Sequence, residues 1–298
     1  MTDHHDQLVR FLLPEAGVRG VHVHLNQTWE DILSHASYPP QARRLLGESC
    51  AASALFTGHT KVDGRLSIQL RSNTTLRTLF AECTAAGTLR GIVQLQEGED
   101  APDELGKLGE DALLAITIEN PGLDPREPQR YQSLVSLNAA SLDEAFEDYF
   151  RQSEQLPTRL LLATDGDRAS GLLLQKLPGD TGDMDGWTRV GALFDTLGPP
   201  ELLELPADQL LHRLFHEEGP ELLGSKPLEF GCSCSHERVS AMLQSLGEEE
   251  ARAAAEATGK VEVRCEFCGR EYHFPLTEFD VLFADAPTTQ SSAPDRLQ

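Results

Sequence analysis

Two cysteine pairs, Cys232-Ser233-Cys234 and Cys265-Glu266-Phe267-Cys268, decide the fold of the C-terminal part of this chain. Two close pairs far apart in sequence can gather four thiolates around one ion, and a closed Cys₄ set is typical of a structural zinc site. Around the second pair, Val261 and Val263 and then Tyr272 and Phe274 alternate with polar residues. This alternation predicts a β-hairpin with the cysteines at its turn. We therefore predict one Zn²⁺ per chain, held by Cys232, Cys234, Cys265 and Cys268.

The spacing of the first pair is unusual, because only Ser233 separates Cys232 from Cys234. Zinc ribbons ordinarily space each pair by two or more residues. Cysteines this close can form a disulfide with each other only through a strained ring. A strained disulfide is easily reduced, which places it in the regulatory range. Spacing alone leaves a purely structural zinc and a redox-regulated site equally open.

The composition restricts the class of protein. The 298 residues allow one large domain and a small one. A formal net charge of -23 disfavours a nucleic-acid partner, since Arg43-Arg44 is the longest basic run. We find neither an apolar run of membrane-spanning length nor a signal peptide at the start. The expected location is therefore the cytoplasm, where resting thiols stay reduced.

Strands and grouped helices alternate irregularly from residue 1 to residue 178, which predicts an α+β domain. One helix is expected from Gln41 to about Thr57, and a second is expected to begin at Thr74 with Leu76, Leu79 and Phe80 facing inward. A third begins at Ser141, with Glu144 completing a capping box. Its apolar stripe consists of Leu142, Ala145, Phe146, Tyr149 and Phe150.

Residues 179–230 read as a linker of short amphipathic helices after a Gly- and Asp-rich connection. Its apolar faces include Trp187, Val190, Leu193, Phe194, Leu211, Leu214 and Phe215. These helices are too short to be stable alone, so they must borrow a hydrophobic surface from another part of the chain. The predicted fold is thus an N-terminal mixed sheet-and-helix domain, a helical linker, and a small C-terminal zinc-binding domain at 231–298.

Other candidate sites are weaker. No nucleophile elbow, phosphate loop or dinucleotide fingerprint is present in the sequence. His212 and His216 have metal-compatible spacing without a third ligand nearby, so solvated histidines on a helix face are the better interpretation. His22 and His24 are expected on a half-exposed sheet face. Cys50 and Cys83, both placed in helical contexts, are expected to be small core residues.

At this point the chain resembles the 33-kilodalton heat-shock protein family of bacteria, the redox-switched holdase chaperones. The Cys-x-Cys and Cys-x-x-Cys pairs about thirty residues apart are that family's hallmark. Further stretches that carry the resemblance are His5-Asp6-Gln7-Leu8, Val18-Arg19-Gly20, Tyr38-Pro39, Glu147-Asp148-Tyr149-Phe150, Ser153 to Arg159 and His216-Glu217-Glu218. The resemblance covers nearly the full length and departs from it only in loops such as Asn120–Gln129.

The resemblance implies a chaperone and not an enzyme. It implies a reduced, zinc-bound and inactive form that hypochlorous acid, or peroxide with heat, converts to an active one. The implied disulfides are Cys232–Cys234 and Cys265–Cys268, and the less strained Cys265–Cys268 is expected to form first. The implied active form binds unfolding client proteins without ATP, usually as a homodimer, and we expect the apolar linker faces to contact these clients. A constitutive zinc-ribbon adaptor and a thiol-disulfide oxidoreductase are the alternatives.

Overall fold

The computed structural model describes residues 6–122, 127–179, 182–255 and 259–284. Packing divides the chain into two compact units, Met1–Cys232 and Ser233–Gln298, and the division falls inside the first cysteine motif. The predicted α+β class is confirmed, because both units contain sheet and helix.

Two antiparallel sheets form the framework of the first unit. In spatial order, the first sheet consists of β10 (Glu221–Pro227), β1 (Gln7–Leu13), β2 (Val18–Leu25), β9 (Ala169–Lys176) and β8 (Thr158–Thr164). The second consists of β11 (Glu229–Phe230), β5 (Thr88–Leu95), β4 (Leu76–Thr84), β3 (Arg65–Arg71), β6 (Leu113–Asn120) and β7 (Gln129–Val135). The exception to antiparallel pairing is β11, which lies parallel to β5.

The longest helix is the centre of this unit. The helices of the first unit are α1 (Gln27–Leu33), α2 (Pro40–His59), α3 (Leu142–Tyr149), α4 (Gly186–Phe194), α5 (Pro199–Glu204) and α6 (Ala207–Phe215). The prediction of α2 is confirmed, and it packs against strands of both sheets, as its burial on all sides requires. Two glycines permit the close approach: a Cβ on Gly91 would lie 2.8 Å from Cys50 Sγ, and one on Gly171 would lie 2.6 Å from a Leu55 methyl.

Helix α3 begins where the sequence predicts, but its cap differs. The Ser141 hydroxyl donates to the Asp143 carboxylate instead of accepting from a backbone N–H of the first turn. The Glu144 carboxylate accepts from the N–H of Ala140, at 3.1 Å, one residue before the expected position. The predicted apolar stripe is confirmed, since four of its five members are buried and Tyr149 packs against the same core.

The helix predicted after Thr74 is wrong. Residues Leu76–Thr84 form β4, which pairs with β3 on one side and with β5 on the other. The register with β5 shifts between Leu76 and Thr78, and this irregularity lets Leu76 and Leu79 both lie in the core. The three-residue spacing between Leu76 and Leu79 resembles a helical period, but it belongs to a bulged strand.

Helices α4 to α6 cover the face of the first sheet that points away from α2. Their apolar side chains join Phe11, Leu13, Leu172 and Leu174 in a second hydrophobic cluster, separate from the core around α2. The rings of Phe11 and Phe215 stack with centroids 6.4 Å apart. The prediction of a helical linker is wrong for its last ten residues, because 221–230 contain the strands β10 and β11.

The second unit is small. It contains α7 (His236–Leu246), α8 (Glu248–Ala255), the hairpin strands β12 (Lys260–Arg264) and β13 (Glu271–Pro275), and α9 (Leu276–Ala284). The predicted hairpin is confirmed, with Val261 opposite Phe274 and Val263 opposite Tyr272. Among the described residues of this unit, eight buried side chains form a hydrophobic core. None of the helices in the described ranges of the chain has the length and apolar composition to cross a bilayer.

Candidate metal centre

The second cysteine pair lies on the turn of the β12–β13 hairpin. The N–H of Cys265 donates to the carbonyl of Arg270, and the N–H of Gly269 donates to the carbonyl of Cys265, both at 2.8 Å. Gly269 has a φ of +67°, a left-handed conformation that favours glycine and lets the turn close after Cys268. The backbone hydrogen bonds of the hairpin turn therefore hold Cys265 and Cys268 close together.

The first pair lies immediately before α7. The Ser235 hydroxyl caps this helix by accepting from the N–H of Arg238 at 3.3 Å. The Arg238 guanidinium in turn donates to the Ser233 hydroxyl at 2.6 Å. Both neighbours of Cys234 are thus tied to the first turn of α7, which sets the position of the Cys234 thiol.

The four sulfur atoms of these two motifs lie within 4.8 Å of one another, and the Cys234 and Cys268 sulfurs are 3.3 Å apart. A zinc tetrahedron with Zn–S bonds of about 2.3 Å has sulfur–sulfur edges of about 3.8 Å, so the observed spacing brackets the required one. All four cysteines are partly buried. Within the described ranges, no other set of three or more candidate ligands comes together in this way. The residues fit a closed Zn²⁺ site.

Two features favour the thiolate form that zinc requires. Cys234 directly precedes Ser235, the N-cap of α7, at the end of the helix that carries partial positive charge. Arg270, next to the hairpin turn, has a raised pKa because of Tyr272 and then because of the negative charge of Cys234 and Cys268. A helix N-terminus beside a cysteine pair is also a feature of thiol-disulfide oxidoreductases, so that alternative needs a direct test.

The side chains predicted to contact clients are covered by the first sheet in this structure. Val190, Phe194, Leu211, Leu214 and Phe215 are all less than 8% exposed. Trp187 and Leu193 are partly buried and pack against the same cluster. The linker helices therefore do borrow a hydrophobic surface, and that surface is the sheet containing β1, β2, β8 and β9.

Arg189 is a residue of this linker that sequence reasoning missed. Its guanidinium binds the buried Glu218 carboxylate in a bidentate pair, at 2.5 and 2.8 Å, and also reaches Asp183 at 3.0 Å. These contacts tie the start of α4 to the residues that follow α6. The available signal was composition, because Arg189 is one of only three basic residues among ten acidic ones in 181–230.

The remaining histidines and cysteines divide into confirmed and wrong predictions. His212 on α6 and His216 directly after it are exposed, as predicted. Cys50 and Cys83 are buried core residues, as predicted, although Cys83 lies on β4 and not in a helix. The half-exposed face expected for His22 and His24 is wrong, because they are 0% and 8% exposed. The linker helices cover the sheet face that these histidines share.

Comparison with known proteins agrees with the architecture of both units. The family model described as Hsp33 protein matches residues 6–275. The chain belongs to the Hsp33 family. A 33 kDa chaperonin of Ectopseudomonas mendocina is 43% identical over 286 residues, which cover 93% of this chain and 95% of the relative. One of Hahella chejuensis is 40% identical, covering 95% and 98%.

A solved structure shows the same fold. The 33 kDa chaperonin of Thermotoga maritima superposes with a TM-score of 0.75 at 22% identity, covering 94% of this chain and 98% of that one. The family and the names of its members support a chaperone function for this chain.

Proposed function

We propose that this member of the Hsp33 family is a redox-regulated, ATP-independent holdase. In the reduced form Cys232, Cys234, Cys265 and Cys268 hold one Zn²⁺, and the protein is inactive. The observation that carries the proposal is the meeting of four thiol groups from two distant motifs at one centre. The motif Cys232–Cys234 also follows, after β10 and β11, a segment whose apolar side chains are buried.

The activating step is oxidation of the four thiolates to two disulfides, Cys232–Cys234 and Cys265–Cys268. Each pair loses two electrons to one molecule of hypochlorous acid. With one proton taken up, the products are one disulfide, one chloride ion and one water. A sulfur atom in a disulfide no longer offers the thiolate charge that zinc requires, so the two reactions together remove the whole ligand set.

Loss of the metal is expected to unfold the small unit. Its described residues form a core of eight buried side chains, and structural zinc contributes on the order of 10 kcal/mol or more to the folding of such small domains. Each disulfide would close a very small loop, so neither replaces the link that zinc makes between α7 and the hairpin.

The active surface is then the set of apolar side chains on α4 and α6, with the sheet surface beneath them. Cys232 follows β11 by only two residues, so the chain of the unfolding unit continues directly into β11, β10 and α6. Release of α4 to α6 would expose Trp187, Val190, Leu193, Phe194, Leu211, Leu214 and Phe215 to unfolding client proteins. The acidic residues on the same segment would keep the complex soluble.

The remaining features of the proposal concern partners and location. Oxidised chains would act as homodimers in the cytoplasm, with unfolding proteins as their partners. Nucleic acid is disfavoured by the charge of -23. No enzymatic step is assigned.

The test compares reduced and oxidised protein in a light-scattering assay of a heat-unfolding client, while a colorimetric chelator reports zinc release. We expect suppression of client aggregation only after oxidation, together with the release of about one zinc ion per chain. A Cys265→Ser/Cys268→Ser variant should not show this redox dependence. The matched control is Cys83→Ser, which removes a buried thiol outside the centre and should keep the full switch.

The same experiment separates the alternatives. Zinc release without protection would contradict the holdase proposal and favour a structural ribbon with a fixed partner. Because the first pair adjoins α7, a turnover assay with a disulfide substrate is included. Catalytic turnover would favour an oxidoreductase instead.

A further inference from the structure

Two histidines lie in a hydrophobic layer where the linker helices meet the first sheet. His22 and His24 are on the same face of β2, with ring centroids 6.4 Å apart. In the sheet register His22 lies between Val9 and Leu172, and Leu172 belongs to the cluster formed with α4 to α6. Helix α6 packs against β2. Both rings are therefore enclosed when the linker is docked.

His22 is held there without polar compensation from the protein. It is fully buried, and neither ring nitrogen has a hydrogen-bond partner within the part of the chain that the structure describes. An imidazole in this setting must remain neutral, because a buried charge without a partner is strongly unfavourable. Burial, and secondarily the proximity of His24, lowers the pKa of His22 to about 3.

Among the residues that the structure describes, no carboxylate compensates a charge on His22. Its register neighbours, and those of His24 on β1 and β9, are neutral: Gln7, Val9, Ser170 and Leu172. The titratable groups of α6 and the end of α5 are all exposed, and these are Glu204, Asp208, His212 and Arg213. The remaining nearby carboxylates have other partners: Glu201 binds Arg213, Glu218 binds Arg189, and Asp6 accepts from the N–H groups of Asn26 and Thr28.

We propose that His22 forms a proton-sensitive latch, so that mildly acidic conditions release the linker helices without oxidation of the cysteines. Undocking α6 would return its imidazole to water, where it accepts a proton. This inference rests on the proposed function only for its consequence, namely that released helices bind clients. The latch itself is a property of the sheet and the linker.

The direction and size of the pH effect on docking follow from the linkage between protonation of His22 and undocking of the linker. A histidine whose pKa is lowered in the docked state stabilises that state fully above its ordinary pKa of about 6.5, and the stabilisation is lost as pH falls below that value. Between pH 7.5 and 5.5, protonation of His22 alone should increase the undocked fraction about tenfold.

The experiment uses the full-length, reduced, zinc-loaded protein at pH 7.5 and pH 5.5. Hydrogen exchange of residues 186–215, corrected for the intrinsic pH dependence of exchange, measures undocking, and metal content is measured in the same samples. We expect protection of this segment to fall about tenfold at pH 5.5 with zinc retained. His22→Leu, which places an apolar side chain beside Val9 and Leu172, should abolish the fall. The matched control His212→Leu, on the exposed face of α6, should keep it.

Unchanged protection of the wild-type linker between the two pH values would overturn the latch, whether or not the variants fold. An equal fall in His22→Leu would also overturn it. Client aggregation assays separate this from the proposed function. If oxidised protein protects clients at pH 7.5 while acid opens nothing, the latch is wrong and the holdase stands. If acid opens the linker through His22 but no client binds, the latch stands and the linker is not the client surface.

Discussion

Substitution of Phe215 by alanine should partly activate the protein without oxidation. Phe215 is fully buried, belongs to the cluster between the linker and the first sheet, and stacks on Phe11. Removing a buried phenylalanine side chain costs about 3–5 kcal/mol, through lost transfer energy and the cavity that remains. Since the ring contacts the sheet only while α6 is docked, this destabilisation acts on the docking equilibrium. The undocked fraction should rise by roughly two to three and a half powers of ten.

Hydrogen exchange of residues 186–215 in the reduced, zinc-bound protein measures this change, and suppression of client aggregation measures its consequence. The matched control is Phe146→Ala. Phe146 is also fully buried, but it lies in the core around α2 and not under the linker. It should lower the global free energy of unfolding by a similar amount without selectively opening the linker.

Two results would refute the reasoning. If Phe215→Ala and Phe146→Ala lose protection over the same residues, the linker does not undock as a separate element. If Phe215→Ala opens the linker selectively while the reduced protein still fails to protect clients, the apolar faces of α4 and α6 are not the client surface.

Four further predictions concern the thiols, the metal and one buried carboxylate. Chelation of zinc at pH 7.5 under reducing conditions should abolish the thermal transition of the small unit, while the core around α2 keeps its own; readdition of zinc should restore the transition of the small unit. During partial oxidation, peptide mass spectrometry should find Cys265–Cys268 before Cys232–Cys234, because a two-residue spacing strains the ring less; the reverse order would contradict this. Cys50 and Cys83 should resist alkylation in the native protein, since burial raises the pKa of both thiols, that of Cys83 to about 12, and fast labelling would argue against a purely structural role. Burial raises the pKa of Glu48 to about 7, so the stabilising contribution of its neutral form is present below about pH 4.5 and is lost as pH rises through 7. Between pH 4.5 and 8, the unfolding free energy of Glu48→Gln should therefore gain on the order of 3 kcal/mol relative to that of the wild type. A difference between the two proteins that does not change with pH in denaturant melts would disprove this.

The candidate metal centre was predictable because its determinants are local. A hairpin turn needs only alternating apolar residues and a glycine, and both surround Cys265 and Cys268 within a few positions. That this turn meets Cys232 and Cys234 at one site follows from the chemistry of thiolates, because four of them are a common ligand set for structural zinc. All four cysteines can be identified in the sequence.

The errors have a common physical origin in contacts that are distant in sequence. Leu76 and Leu79 have a helical spacing, but they belong to β4, which is stabilised by β3 and β5 on either side. The pairing of β4 with β5 is bulged between Leu76 and Thr78. The burial of His22 depends on which face of the first sheet the linker covers, and no local pattern around Val21-His22-Val23 contains that information. The strands β10 and β11 were missed for the same reason, because their partners lie in β1 and β5.

The strands at the two ends of the linker make it a tethered loop and not a free arm. The 44 residues between Lys176 and Glu221 leave the first sheet at β9 and return to it at β10. If α4 to α6 are released while these strands stay paired, the segment can extend no more than about 75 Å from the sheet, half of its extended contour. Its return after reduction is then a loop closure within one molecule, with a rate independent of protein concentration. A client held by this loop competes with the sheet for the same side chains. Rebinding of the loop to the sheet is therefore sufficient to release the client.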